Sequence, residues 1–241
     1  MDSPLHPIVL LADSQLLFWR RDNGELFLRR LRRGIDAERP RAAYLGASNG
    51  DQPEFFELFR GAMEGIGLTE CRHIPSEPSA ADFDFLAEAN LILLAGGDVA
   101  LGWRAFREHE LLSPILERYY AGAVLIGLSA GAVQLGLFGA SEPEDASEAA
   151  PPRLFETFKL VPMLVDVHDE PDWSRLQRQL RHADDEVAGL GIPSGGGALL
   201  HPDLSLEAVR RPLVEWRRTD EGLRQSLLLP PGSDDEGSEG S

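Results

Sequence analysis

A chain of 241 residues is long enough for one large domain with a substantial core and too short for two of ordinary size. Its 40 acidic and 23 basic residues give a formal net charge of -17, which repels phosphate backbones and anionic membrane surfaces. We therefore expect neither nucleic acid nor a membrane as a partner. The single cysteine, Cys71, excludes an intramolecular disulfide and a cysteine-based metal site.

The two ends of the chain differ in character from the segment between them. Residues 1–6 lack a basic stretch, and the apolar run at 8–12 is too short for a signal sequence or a membrane span. This pattern predicts a cytoplasmic protein. Residues 230–241 contain no apolar side chain that a core could bury, so we predict a disordered acidic tail there. Residues 1–229 then form a single domain.

Between these ends, short apolar runs alternate with segments of helical periodicity. The runs are apolar throughout, which is typical of strands in a parallel sheet that is covered on both faces. We predict strands at residues 8–12, 42–46, 69–74, 91–95 and 123–128, and helices at residues 25–33, 53–66, 81–89, 102–120 and 173–186.

Four more apolar segments near the carboxyl terminus are separated by turn residues and predict short antiparallel strands at one edge of the sheet. They lie at residues 197–200, 206–209, 213–216 and 224–229. The predicted fold class is therefore α/β: a three-layer sandwich with a mostly parallel central sheet, helices on both faces, and short antiparallel strands near the carboxyl terminus.

The last parallel strand leads into the sequence Gly-Leu-Ser-Ala-Gly at 127–131, and helical sequence follows. Strand, Gly-x-Ser-x-Gly turn and helix are the parts of a nucleophile elbow, in which small residues let the strand and helix backbones approach. The serine then lies at a helix N-terminus, where backbone N–H groups can stabilise developing negative charge. We predict that Ser129 is a catalytic nucleophile. An ordinary tight turn is the alternative.

A serine nucleophile needs a general base, and His168 is the strongest candidate among six histidines. It ends the apolar run at 164–167, whereas the other five are more simply explained as solvated or structural residues. The carboxyl ends of parallel strands meet at one edge of a sheet, so we expect His168 beside Ser129. A structural histidine at a strand end is the alternative.

The acid that would orient the histidine is less well defined by the sequence. Acidic residues crowd the loop at 142–148, and Asp166, Asp169 and Glu170 flank His168. Adjacent residues in a strand point to opposite faces, which favours an acid that reaches over from the loop.

Two glycine-containing turns also follow predicted strands. The turn Ala-Gly-Gly-Asp at 95–98 allows the backbone to come close to a ligand, and a free N–H group there can complete an oxyanion hole with the N–H of Ala130. The turn at 46–51 is a second candidate for lining the same pocket. Tight turns without a functional role are the alternative for both.

These segments resemble the dipeptidase E and cyanophycinase family of serine peptidases, whose fold is similar to that of class I glutamine amidotransferases. The resemblance covers residues 8–209 and is carried by residues 93–98, 127–132, 165–168 and 173–180. It implies Ser129 as nucleophile, His168 as general base, and the N–H groups of Gly97 and Ala130 as the oxyanion hole.

The resemblance also implies an acid in the loop after the elbow helix, for which Glu144 is our single candidate, and a substrate-binding role for Asp98. Relatives hydrolyse peptide bonds beside aspartate, in small Asp-Xaa peptides or in an aspartate-arginine storage polymer. The chain departs from them at Asp169, where many relatives have an aromatic residue. It departs again at 193–197, which reads Pro-Ser-Gly-Gly-Gly where relatives tend to carry an acidic residue.

The predicted function is hydrolysis of a peptide or related amide bond through a Ser129–His168 acyl-enzyme, without metal or cofactor. The expected partner is a small peptide or amide substrate, and a homodimer is left open because relatives are monomers or dimers. One alternative is a glutamine amidotransferase-like protein, since residues 168–170 have the His-x-Glu pattern, although those enzymes use a cysteine nucleophile. The other is a non-catalytic binding homologue.

Overall fold

The computed structural model describes residues 5–141, 152–184 and 186–231, and its centre is a seven-stranded sheet. Its strands, numbered along the chain and given in their order across the sheet, are β11 (Leu206–Val209), β10 (Gly197–Leu200), β1 (Ile8–Leu11), β5 (Val124–Leu128), β4 (Leu91–Leu94), β2 (Arg41–Leu45) and β3 (Glu70–Ile74). Within this order, β1, β5, β4, β2 and β3 run parallel to one another. Strand β10 pairs antiparallel with β1, and β11 pairs antiparallel with β10.

Helices cover both faces of this sheet. They are α1 (Leu28–Arg33), α2 (Pro53–Glu64), α3 (Ala80–Ala87), α4 (Val99–Glu108), α5 (Leu112–Tyr120), α6 (Ala130–Leu135) and α7 (Ser174–His182), with 3-10 helices at Ser14–Leu17 and Ala47–Asn49. Because neighbouring strand residues point to opposite faces, Leu10 belongs to the core that contains Phe106 of α4, whereas Leu11 belongs to the core that contains Phe59 of α2. The predicted three-layer α/β sandwich is confirmed.

A second sheet has four strands in the order β13 (Gly222–Leu228), β12 (Leu213–Thr219), β9 (Gly189–Ile192) and β8 (Leu164–Val167). Strand β8 runs parallel to β9, and the other two pairings are antiparallel. Val165 and Val167 of β8 share a buried core with Leu135 of α6, which joins this sheet to the elbow side of the central one. A short antiparallel hairpin of β6 (Phe138–Ser141) and β7 (Arg153–Glu156) lies next to it in sequence.

The structure corrects three details of the sequence prediction. The predicted helix at 102–120 is two helices, because Glu110 adopts a positive φ of 57° between α4 and α5 and ends the helical hydrogen bonding. The four carboxyl-terminal strands do not share one edge: β10 and β11 extend the central sheet, whereas β12 and β13 belong to the second sheet. The third detail is that β8 lies in the second sheet, so His168 and Ser129 do not end strands of the same sheet.

Two predictions lie largely or wholly outside the described residues. They are the acidic tail, of which only residues 230 and 231 are described, and the loop that carries Glu144. In the part of the chain that the structure describes, no helix has the length and apolar character needed to cross a bilayer.

Candidate active site

Ser129 occupies the sharp turn between β5 and α6. Its backbone has φ 50° and ψ -109°, a conformation that L-residues rarely adopt and that is characteristic of the strained apex of a nucleophile elbow. The Ser129 N–H donates to the carbonyl of Leu11 in the adjacent strand, at 2.8 Å. Gly131 lets the turn pack against β4, since a Cβ at that position would lie 2.2 Å from the carbonyl oxygen of Leu94. Strand pairing and close packing therefore hold the strained turn in place.

The glycine turn after β4 lies directly against the elbow. A Cβ at Gly96 would come within 3.2 Å of the Ser129 Cβ. Gly97 has φ +130°, and a Cβ there would lie 2.0 Å from the carbonyl oxygen of Ser48, so only glycine fits. Within the described ranges, neither the Gly97 N–H nor the Ala130 N–H has a hydrogen-bond acceptor. Ala130 begins α6, where an N–H has no partner in its own helix. Two unpaired donors thus flank the serine.

His168 follows β8 and also has a positive φ, 62°. Its N–H donates to the carbonyl of Ile192 in β9, at 3.3 Å. Its Nδ1 lies 3.2 Å from the hydroxyl oxygen of Ser194, which belongs to the turn after β9. The parallel pairing of β8 with β9 brings this turn beside the imidazole, although 26 residues separate the two side chains.

Glu170 lies behind Ser194. Its Oε1 accepts a hydrogen bond from the Ser194 N–H at 2.9 Å. Partial burial raises the pKa of Glu170, but hydrogen bonds from the Ser194 N–H and hydroxyl, together with the charge of His168, outweigh that effect, and the pKa is lowered. The carboxylate therefore stays ionised near neutral pH, next to the hydroxyl that contacts the histidine.

Two cavities meet at the elbow. The first, of about 570 Å³, is largely apolar, and the second, of about 560 Å³, is more polar. Ser129, His168 and Gly97 line both cavities, so the structure brings the predicted nucleophile, base and oxyanion turn together. Among the described residues, no hydrogen bond joins the Ser129 hydroxyl to His168. Such bonds are often long in enzymes without substrate and shorten when substrate binds.

The polar cavity is organised by an ion pair. Both carboxylate oxygens of the buried Asp166 accept from Arg175 Nε, at 3.1 and 3.0 Å, and Arg175 Nη2 also bonds to Asp166. Burial raises the pKa of Asp166 by more than the arginine lowers it. Asp98 also lines this cavity, but its carboxylate caps α4 by accepting from the Leu101 N–H at 2.7 Å. The geometry thus gives Asp98 a structural role, and its predicted substrate contact stays a prediction.

The turn at 46–51 lines the apolar cavity, as the sequence indicates, through Ser48, Asn49 and Gly50. Asn49 donates to the Tyr44 hydroxyl at 2.6 Å, and burial raises the pKa of that tyrosine to about 12. Tyr44 therefore remains protonated in the cavity wall.

Two elements of the site were not recognisable from local sequence. Ser194 stands in the segment that departs from the family pattern, but the departure does not indicate that its hydroxyl contacts His168. Asp13 also lines the apolar cavity and accepts from the Gly195 N–H at 2.6 Å, which fixes the turn that carries Ser194. Glu144, the acid implied by the resemblance, lies outside the described residues.

The sequence model of Peptidase family S51 matches residues 10–201, which is most of the chain. Comparison with curated protein sequences gives no match. The crystal structure of a peptidase from an acI-B1 Actinobacterium is similar with a TM-score of 0.70 and 14% identity, over 96% of this chain and 97% of that chain. A putative peptidase E protein from Listeria monocytogenes EGD-e is similar with a TM-score of 0.60 and 16% identity, over 86% of this chain and 98% of that one.

At these identities the two crystal structures show a likeness of fold, and the family match identifies the class of protein. The nucleophile-elbow sequence and the glycine turn both lie within the matched segment. The chain belongs to peptidase family S51, the dipeptidase E family, and is a serine-type peptidase.

Proposed function

We propose that the protein hydrolyses a peptide or related amide bond through an acyl-enzyme formed on Ser129. The observation that carries this proposal is that Ser129, His168 and Gly97 line the wall shared by two cavities, with Ala130 beside them in the polar one. Among the described residues, the N–H groups of Gly97 and Ala130 have no acceptor. The strained elbow conformation supports it, because strain of this kind concentrates at catalytic positions.

In this mechanism the Ser129 oxygen attacks the substrate carbonyl while His168 accepts the hydroxyl proton. The oxyanion that develops accepts hydrogen bonds from the Gly97 and Ala130 N–H groups, which need no rearrangement to donate. His168 then passes the proton to the departing amine. Water, activated by the same histidine, hydrolyses the acyl ester and returns the serine to its starting state.

Two groups are candidates for orienting the imidazole. Ser194 contacts His168 Nδ1, and the ionised Glu170 accepts a hydrogen bond from the Ser194 N–H. These contacts support a relay in which the Ser194 hydroxyl positions the imidazole ring and the Glu170 carboxylate favours the protonated form of the imidazole. The family resemblance supports Glu144 instead. We propose the Ser194–Glu170 pair as the positioning unit, with Glu144→Gln and Glu170→Gln as the variants that distinguish the two.

The resemblance also supports cleavage beside aspartate. The polar cavity holds a cation that suits an acidic side chain, Arg175, although this arginine is already paired with Asp166. A comparison of Asp-Xaa with Asn-Xaa peptides tests this preference, because the two side chains have nearly the same shape and differ in charge. Equal rates would contradict a preference for aspartate.

The amidotransferase alternative requires a cysteine nucleophile. Burial raises the pKa of the Cys71 thiol to about 11, and Cys71 lines neither cavity. Release of ammonia from glutamine would support the alternative. A binding protein without catalysis would bind peptides and leave them intact.

The proposal is tested by digesting a peptide library with the wild-type protein and with Ser129→Ala, and reading the products by mass spectrometry. We expect defined cleavage products from the wild type alone. Products of equal abundance from both proteins would refute the role of Ser129.

A further inference from the structure

The apolar cavity beside Ser129 has exposed hydrophobic side chains at its mouth. Phe55 and Leu58 of α2 are 46% and 45% exposed, and Leu101 of α4 is 38% exposed. All three line the cavity. Scattered exposed hydrophobics are normal on a protein surface, but a cluster around a concave site indicates a binding surface.

The core of the protein does not account for these side chains. On α2, Phe59 and Met63 are 1% and 0% exposed and supply the contact with the sheet. Phe55 and Leu58 widen the apolar face of the helix beyond what this contact requires. They therefore leave apolar surface in water unless a ligand covers it.

The chemistry of the cavity wall defines what such a ligand offers. Its floor is formed by buried apolar and aromatic groups, including Tyr44, Phe59 and Leu93. Among the described lining residues there is no lysine or arginine, and the one carboxylate is that of Asp13. An acidic side chain would meet the like charge of Asp13 and neither a lysine nor an arginine, whereas an uncharged apolar side chain would displace water from apolar walls.

We propose that this cavity binds a large apolar or aromatic side chain of the substrate, on one side of the scissile bond. The inference rests on the proposed function, because it takes Ser129 as the nucleophile. Ser129 and His168 line this cavity, so a residue seated in it holds its own backbone carbonyl or amide next to the reacting atoms. A cavity of about 570 Å³ lies within the range of about 300–1,000 Å³ that is typical of small-ligand pockets.

Any aspartate beside the scissile bond would then occupy the polar cavity on the other side of the elbow, with Arg175 and Asp98 in its lining. The preferred substrate pairs one acidic and one bulky apolar residue across the bond. The apolar position is a specificity element separate from the aspartate preference of the family.

A matched pair of phosphonyl fluorides tests the apolar site without a known substrate. One carries a methyl group on phosphorus and the other a benzyl group. In both, the Ser129 oxygen forms a bond to phosphorus, fluoride leaves, and His168 takes the proton. The second-order rate constant of adduct formation is read by intact-protein mass spectrometry.

We expect the wild type to react at least about tenfold faster with the benzyl probe than with the methyl probe, since even one methylene in a hydrophobic pocket is worth about 10- to 200-fold. Leu58→Gln and Phe55→Ser should reduce this ratio, because both side chains line the cavity. Both side chains are exposed, so neither replacement creates a core cavity. Leu227→Gln is the matched control, because Leu227 is 61% exposed and does not line the cavity.

The outcomes separate the two proposals. If the wild type reacts at the same rate with both probes, the result supports Ser129 as a nucleophile but refutes the apolar site. A benzyl preference that survives in both α2 variants overturns it as well. If neither probe forms an adduct on folded protein, the proposed function fails, and the apolar site fails with it.

Discussion

Replacing Ser194 by alanine removes the hydroxyl that lies 3.2 Å from His168 Nδ1. The Ser194 N–H remains and still donates to Glu170, so the turn keeps its backbone anchor. A neutral hydrogen bond contributes about 0.5–1.5 kcal/mol, which corresponds to a rate loss of about 2- to 13-fold if the bond orients the base in the transition state. We expect Ser194→Ala to lose that much in the rate at which Ser129 reacts. Ser194→Thr, which keeps a hydroxyl, should recover most of it.

The assay is the rate of Ser129 modification by the methyl phosphonyl fluoride, because it needs the base and does not depend on substrate identity. Glu170→Gln keeps the size of the side chain and one oxygen acceptor but removes the negative charge, so it should also slow the reaction. A wild-type rate in Ser194→Ala, together with a slow rate in Glu144→Gln, would refute the relay and assign the orienting acid to the loop.

Three further predictions concern the architecture around the site. Gly97→Ala places a Cβ 2.0 Å from the backbone carbonyl oxygen of Ser48, so the turn must shift. We expect kcat to fall by about 100- to 1,000-fold while the circular dichroism spectrum stays unchanged. A small loss of kcat would contradict the oxyanion role. Arg175→Ala removes the partner of the buried Asp166 and should lower the free energy of unfolding by about 1–3 kcal/mol. Urea titration measures this change, and an unchanged midpoint would show that the ion pair adds no stability.

The third follows from the lowered pKa of Glu170. A carboxyl whose pKa is lower in the folded state stabilises the fold above its unfolded pKa, and this contribution is lost as pH falls through the folded pKa. Hydrogen exchange of the Ser194 amide should therefore show a loss of protection, beyond the intrinsic change in exchange rate, below about pH 4.5. If protection of the Ser194 amide does not change with pH in the wild type, or falls equally with pH in Glu170→Gln, the ionisation of Glu170 does not control it.

Much of the fold and the core of the site follow from local sequence. The apolar strands, the Gly-x-Ser-x-Gly turn and the paired glycines each depend on residues adjacent in the chain, and the structure has β5, the elbow and α6 where the pattern predicts them. Gly97 illustrates why: its conformation and its contact with Ser48 admit no other residue, so the requirement is visible in the sequence.

The position of His168 shows where local reasoning fails. The sequence indicates a strand before it, but not that β8 pairs with β9 in a second sheet rather than joining the central one. Strand pairing is a long-range choice that a four-residue apolar run does not encode by itself. His168 still reaches the same cavities as Ser129, because β8 packs against α6. The predicted common sheet edge is wrong, but His168 and Ser129 do line the same two cavities.

The Ser194–Glu170 pair was harder to foresee for the same reason. Its contact with His168 bridges β8 and the turn after β9, and it depends on the register of that pairing. The apolar cavity likewise combines α2, α4 and the first 3-10 helix, three segments that are distant in sequence.

The central claim is that Ser129 is the nucleophile of this peptidase. The most direct measurement is peptide mapping of the protein after reaction with the methyl phosphonyl fluoride, with folded Ser129→Ala as the control. The account predicts one phosphonyl group on Ser129, no adduct in the variant, and loss of peptide hydrolysis in step with labelling. An adduct on another residue, or full hydrolysis by Ser129→Ala, would contradict it.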